Sequence, residues 1–334
     1  MMEELLRILL ERRGQYVSGE ELARGAGITR AGIWKQVEQL RGLGYTIDSA
    51  PRKGYRLTGE GDALLPGLVK NGLRTARFGR DLHYQYEIDS TNSWARRLAE
   101  SGAPEGTVAL AETQRQGRGR MGRAWSSAPG KGLWFSLVLR PRLSAAELAG
   151  IMTLAAVCMA RAIQRVTGIA PAIKWPNDLV HDNRKLAGIL AELKGELDFV
   201  SYLVLGIGVN VNHEAADFPS ELTDRAGSLR QFGGRPFSRA ALLREFLADF
   251  EPNYAAIPAR GLAATIQYAR EHSATLGRTV TVSQGFGRSV AGLAVDLAED
   301  GSLLLRTHSG ETVRLSSGEL IGEPGETPPE GPRP

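Results

Sequence analysis

The chain has 334 residues, 42% of them hydrophobic and 23% charged, with 40 Gly and 16 Pro, a composition that excludes disordered, collagenous and coiled-coil chains. The length predicts two or three domains, and the single cysteine, Cys158, excludes an intramolecular disulfide or a multi-cysteine zinc site. The net charge of +4 is small, so the placement of basic residues carries more information than their number.

The first segment repeats Leu5, Leu6, Leu9 and Leu10 at helical spacing. Ser18-Gly-Glu-Glu21 has the form of a capping box that opens a second helix, and Gly25-Ala-Gly27 stops it. Thr29 caps a third helix to about Arg41, with Ile33, Val37 and Leu40 facing inward and Arg30, Lys35 and Gln36 outward. Short strands at Tyr45–Ile47 and Tyr55–Leu57 flank a turn that carries Arg52 and Lys53. Between Arg24 and Arg56 there are seven Lys or Arg against Glu38 and Asp48 alone. These elements predict a winged helix-turn-helix over residues 1–60, with Ser18, Thr29, Arg30, Lys35, Gln36, Arg52 and Lys53 facing DNA phosphates and bases.

Residues 61–80 read as a Gly-rich linker with a short helix, and 81–272 as a mixed α/β domain. Its predicted strands are Tyr84–Ile88, Thr107–Ala111, Leu133–Arg140, Leu186–Leu193 and Phe199–Leu205, the last two forming a hairpin that is expected to be a sheet edge whose unpaired backbone groups could meet a second copy. Helices are predicted over Asn92–Ser101, Ala145–Val166 and from Ser238 toward Tyr254. The longest apolar stretch, Leu148–Ala160, is closed by Glu147 and Arg161, short of the ~20 residues that span a bilayer. The opening Met-Met-Glu-Glu has no basic leader, so a cytoplasmic chain without membrane partners is expected. From Thr279 to Leu315 short strands predict a small β-barrel over 273–322, followed by a disordered tail at 323–334.

Several segments carry chemistry. Gly117-Arg-Gly-Arg-Met-Gly122 fits G-x-G-x-x-G, yet no helix can follow it, and no P-loop sequence exists. What remains is a loop with four arginines between Arg115 and Arg123, suited to wrapping phosphate. Ser90-Thr-Asn92 starts a helix, Lys174-Trp-Pro-Asn-Asp178 is a proline turn, Lys185 heads an apolar strand, and Gly206 and Gly208 alone would suggest a β-bulge. Of five histidines none pairs at ligand spacing, so no metal site is expected among them.

The ordered set Glu-Ile-Asp-Ser-Thr-Asn, Ala-Glu-Thr-Gln-Arg-Gln-Gly-Arg-Gly-Arg, Ile-Lys-Trp-Pro-Asn-Asp, Arg-Lys-Leu-Ala-Gly-Ile-Leu and Gly-Ile-Gly-Val-Asn-Val resembles the successive motifs of biotin protein ligases. With a winged helix before them, the chain resembles the bifunctional ligase and biotin operon repressor form over residues 1–322. The resemblance implies an α+β multidomain fold: winged helix-turn-helix, a class II synthetase-like biotin/lipoate ligase domain and an SH3-like barrel. It implies biotin, ATP and Mg2+ as ligands, biotinyl-5′-AMP as intermediate and corepressor, and three partners: the biotin carboxyl carrier protein of acetyl-CoA carboxylase, biotin operator DNA and a ligand-dependent second copy.

By the same resemblance Lys185 is the active-site lysine and Arg118 and Arg120 belong to the loop that covers the adenylate. Ser90, Thr91, Asn92 and Gln114 are implied at the ureido ring. Trp125 is implied to stack on adenine with Arg123, Asn177 and Asn210 nearby as nucleotide contacts, and Gly117, Gly119, Lys174 and Gly188 are implied as further residues that bind these ligands. Asp178 serves metal or ribose. Met121 departs from relatives that carry a basic residue there. The other readings are a lipoate or octanoate ligase or transferase of the same fold, and a biotin sensor without ligation. The arginine loop and the C-terminal barrel favour biotin over lipoate, and intact Lys185 argues against a sensor.

Overall fold

The computed structural model describes residues 1–59, 61–196, 199–285 and 288–321. The first 59 residues form α1 (Met2–Glu11), α2 (Gly19–Ala26), α3 (Arg30–Gly42) and the antiparallel hairpin β1 (Thr46–Ala50) and β2 (Gly54–Gly59). Ser18 Oγ accepts from the Glu21 amide at 3.1 Å and Thr29 Oγ1 from the Gly32 amide at 3.2 Å, which satisfies one orphan donor at the start of each helix. Ile33, Val37 and Leu40 pack on Leu5, Leu6, Leu9, Ile47 and Leu57 in a core of their own. The wing closes on α2 at Gly54, where φ is +99° and a Cβ would fall 2.0 Å from the Val17 carbonyl, so only glycine fits.

The expected linker is a docked strap. Ala63 and Leu65 are buried in the winged-helix core, whereas Leu64, Val69, Leu73 and Phe78 are buried in the core of the next domain. The strap contains α4 (Pro66–Lys70), and the Glu251 carboxylate accepts the amides of Ala76, Arg77 and Phe78 at 2.7, 2.7 and 3.2 Å. Composition suggested a tether because glycine content reports flexibility, not which alternate residues find an apolar surface.

Next come β3 (Leu82–Ile88), α5 (Thr91–Glu100), β4 (Val108–Gln114), β5 (Gly132–Leu139), α6 (Ala145–Thr167), β6 (Ala172–Lys174), β7 (Asp178–His181), β8 (Arg184–Glu196) and β9 (Phe199–Asn210). They build a seven-stranded sheet in the order β3-β4-β5-β9-β8-β7-β6, with only β3 and β4 parallel. Strand alternation gives it two faces. Phe135, Leu137, Leu205 and Ile207 meet α6 and α8 (Arg239–Arg260), while Val138 and Val204 meet Ala95 and Ala99 of α5. Short helices α7 (Leu229–Gly233) and α9 (Ala263–Glu271), with β6 and β7, were not foreseen.

Two expectations are corrected here. The sheet edge expected at Leu186–Leu193 and Phe199–Leu205 is not an edge for β9, which lies between β5 and β8. Only β8 beyond Gly188 extends past its second neighbour, because β7 pairs with it no further than that residue. The expectation that no segment reaches membrane-spanning length is also revised: α6 is a single helix in which Ala146–Thr167 is long and apolar enough by length and composition. Two thirds of that window is buried, with Ile151, Leu154, Ala155 and Ile163 in the core.

The C-terminal unit is a five-stranded antiparallel sheet, β13-β12-β11-β10-β14, from β10 (Thr279–Gly285), β11 (Arg288–Leu297), β12 (Leu303–Thr307), β13 (Thr312–Leu315) and β14 (Glu319–Ile321). Val282, Ala294, Leu303 and Leu305 turn inward and join the main core. The tail expected at 323–334 lies outside the described residues.

Candidate functional site

A cavity of about 850 Å³ opens on the α5 face of the central sheet and extends to the first and last strands of the C-terminal sheet. Its floor is glycine. Gly206 and Gly208 are not a bulge, because β9 keeps unbroken register with β5 through both. A Cβ on Gly206 would lie 1.9 Å from Asn92 Oδ1, and one on Gly188 or Gly208 would come within 2.7 or 2.8 Å of the Trp125 ring. The glycines therefore exist for close approach.

At one end, the amide and hydroxyl of Thr91 donate to Gln114 Oε1 at 2.8 and 3.1 Å, and Gln114 Nε2 donates to Ser127 Oγ at 3.0 Å. Ser136 Oγ donates to Asn92 Oδ1 at 2.6 Å, and Asn92 Nδ2 to Glu192 Oε2 at 2.7 Å. Ser90 occupies the N-cap position of α5, buried, without a side-chain capping bond. This network of amides and hydroxyls, anchored at one side on the Glu192 carboxylate, fixes the rotamers that a planar polar ring would meet. Ser127, Ser136 and Glu192 escaped the sequence reading. Alternation was the available signal, since Ser136 faces Gly206 across β5 and β9.

At the other end, Lys185 Nζ lies 2.7 Å from Asp178 Oδ1 and 5.2 Å from the centroid of the Trp125 ring. Trp125 lies on the glycine floor, edge-on to Trp134 at 6.1 Å. Arg120 donates to Asn177 Oδ1 at 3.2 Å and to the Gly318 carbonyl at 3.0 Å, and burial lowers its pKa from the ordinary guanidinium value. Arg123 is ion-paired with Glu319 of β14, and Arg118 stands 4.0 Å from Glu192. The loop around Gly117 and Gly119 is thus clasped by the C-terminal sheet. A Cβ on Gly117 would meet the Trp125 carbonyl at 2.5 Å.

Asn177 and Asn210 were expected at the nucleotide, and both line the cavity. Their amide NH2 groups are nonetheless engaged by β8: Asn177 Nδ2 donates to the Ile189 carbonyl at 2.7 Å and Asn210 Nδ2 to the Lys185 carbonyl at 3.2 Å. Lys174 lines the same wall, next to the cis Trp175–Pro176 peptide. His213 is also on the lining, stacked on Phe218 at 4.8 Å and edge-on to Trp134 at 5.8 Å; burial lowers its pKa to about 4. Cys158 is buried in α6, where desolvation raises its pKa. Among the described residues no group of three or more His, Cys, Asp or Glu is placed to hold a metal.

On the winged helix, Lys35, Arg52 and Lys53 are exposed, and Lys53 and Arg56 lie over the Tyr16 ring at 5.9 and 4.7 Å. Ser18 and Thr29 spend their hydroxyls on caps. Gln36 is half-buried instead of projecting, and Arg30 is the first residue of α3. The outer face of α3 instead carries Ala31 and Trp34 beside Lys35.

Comparison with known proteins agrees with this architecture. Residues 84–210 match the biotin/lipoate A/B protein ligase family, 2–56 an HTH domain and 275–321 the biotin protein ligase C terminal domain. The chain is 35% identical to the bifunctional ligase/repressor BirA of Bacillus spizizenii, over 93% of this chain and 95% of that protein. It is 34% identical, with the same coverage, to the protein of that name from Bacillus subtilis. Among solved structures, the biotin protein ligase of Aquifex aeolicus in complex with biotin and ATP superposes with a TM-score of 0.62 at 31% identity, covering 72% of this chain and 97% of that one. With all three segments matched and relatives aligned over nearly their full length, the chain belongs to the bifunctional biotin protein ligase/repressor family.

Proposed function

We propose that the protein condenses biotin with ATP to biotinyl-5′-AMP, transfers the biotinyl group to one lysine of a biotin carboxyl carrier protein, and represses biotin genes through its winged helix with the adenylate as corepressor. The observation that carries this reading is the contrast between the cavity's two ends: an amide and hydroxyl network at Thr91, Asn92 and Gln114, tied through Asn92 to the Glu192 carboxylate, and a cationic end at Lys185 and Arg120. Biotin has that polarity, a neutral ureido ring and a carboxylate.

Asn92, Thr91 and Gln114 hold the ureido ring, and Ser90 offers its uncapped hydroxyl. Lys185 sits where two anions, the biotin carboxylate and the α-phosphate, must approach, and its charge lowers the cost of bringing them together. Asp178 keeps the ammonium in place until substrate displaces it. Arg120, fixed at Asn177 and Gly318, and Arg118 cover the mixed anhydride and exclude water. Trp125 supplies a flat apolar surface for the adenine, and Lys174 and Arg123 add positive charge at the phosphates. Mg2+ in nucleotide sites is typically held by one or two carboxylates together with the phosphates, and Asp178, beside Lys185 on the cavity wall, would be the carboxylate that holds an ion arriving with ATP, which would supply positive charge to the phosphates.

The edge of β8 beyond Ile189, whose own backbone is engaged by Asn177, is the surface on which a second copy would extend the sheet. A dimer would present two winged helices to an inverted repeat. Biotin-dependent exchange of pyrophosphate into ATP, with lipoate as control, tests the ligase reading; exchange driven by lipoate alone would overturn it. The match to the biotin protein ligase C terminal domain favours biotin.

A further inference from the structure

Helix α3 exposes apolar side chains where an outer helix face is ordinarily polar. Ala31, Trp34, Lys35 and Glu38 fall at i, i+3, i+4 and i+7 and are all exposed, opposite buried Ile33, Val37 and Leu40. Trp34 is 62% exposed and is the one aromatic residue among the large apolar side chains left open in the described residues. It lies in the second turn after the Thr29 cap, in the half of a recognition helix that faces base edges. The charges nearby sort themselves around it. Lys35 and the wing's Arg52 and Lys53 are exposed cations, while Glu38, the one acid on this face, is paired with Arg41 at 2.6 Å.

We propose that Trp34, with Ala31 beside it, reads thymine methyl groups in the major groove of the operator, and that Lys35, Arg52 and Lys53 supply sequence-independent phosphate contacts. The proposal rests on the DNA-binding reading above and assigns its specificity to particular residues. An indole has one donor and no acceptor, so it cannot make the bidentate contacts by which Arg or Asn read guanine or adenine. The thymine C5-methyl is the apolar feature that B-DNA presents in the major groove, and a broad exposed ring flanked by cations complements it. A protein partner for the same patch would not need a basic wing beside it.

The test uses full-length protein with biotin and ATP, a duplex selected by that protein from a random pool, and a random-sequence duplex of equal length. Trp34→Ala should weaken binding of the selected duplex on the order of tenfold or more and leave random-duplex binding and pyrophosphate exchange unchanged. Trp34→Phe should keep much of the preference. Replacing half-site thymines by uracil, which removes only the methyl, should weaken the wild type but not Trp34→Ala. Lys35→Ala should weaken both duplexes and flatten the salt dependence. Equal affinity of wild type and Trp34→Ala for the selected duplex, equal loss on both duplexes, or a Trp34→Ala defect seen only in self-association would overturn the proposal. Failure of the wild type to prefer any duplex would instead overturn the DNA-binding reading.

Discussion

The guanidinium of Arg239, wholly buried, donates at 2.6 Å to the equally buried carboxylate of Glu112. Arg239 also pairs with Asp62 at 2.8 Å and donates to the Gly132 carbonyl at 3.0 Å, while the Asp62 amide donates to the Leu43 carbonyl at 3.1 Å. One residue at the start of α8 therefore joins the strap, β4 and β5 directly, and the C-terminal end of α3 through Asp62. Glu112 lies two residues before Gln114, and Gly132 pairs with Asn210, so the knot lies directly behind the cavity.

Arg239→Met should cost about 3–5 kcal/mol, the usual result of leaving a buried charge without its partner. Arg239→Met combined with Glu112→Leu should cost less than Arg239→Met alone, since both charges then leave the interior. Urea unfolding of the three proteins reads this directly. Equal or larger loss in the double variant would mean that packing, not charge, dominates.

Lys185→Ala should lower biotin-dependent pyrophosphate exchange on the order of 10²-fold or more, because the charge acts where two anions meet. The fold should persist, as the side chain is over a third exposed and its contacts are one ion pair and one ring. Near wild-type exchange would remove it from the mechanism.

Arg120→Gly removes both side-chain ties, to Asn177 and to Gly318. Synthesis of the adenylate should continue while its retention falls, so that unrelated lysines in a bystander protein become biotinylated. Labelling confined to the carrier domain would show that this arginine does not hold the cover closed.

His213 has a pKa of about 4 against an ordinary 6.5, because desolvation penalises its charged form. Between those values the unfolded chain takes up a proton that the folded chain refuses. Its contribution is therefore complete above pH 6.5 and is lost progressively toward pH 4, by about 3 kcal/mol in all. Stability of wild type minus that of His213→Phe, measured by urea unfolding from pH 7.5 to 4, should fall with this sign. A flat difference would contradict the burial argument.

Local signals carried much of this protein. Ser18, Thr29 and Ser238 each accept an amide hydrogen bond at a helix start, the apolar spacing of α3 gave its buried stripe, and the ordered motifs hold Ser90, Thr91, Asn92, Gln114 and Lys185 of the cavity wall, because capping, periodicity and motif order are properties of neighbouring residues. What needed the tertiary structure was everything that depends on distant partners. Asp62 stands in the expected linker and Glu112 in the Ala-Glu-Thr-Gln motif, and neither position announces Arg239, 177 and 127 residues away, which buries itself between them. Asn92 finds Glu192 across 100 residues, Arg120 finds Gly318 across 198, and β8 is paired or free according to where β7 ends. Trp34 projects because its helix's inward stripe is already filled by Ile33 and Val37. Sequence determines which side chains are offered to a surface; which of them meet depends on chain closure over long separations, and one-dimensional spacing does not encode that.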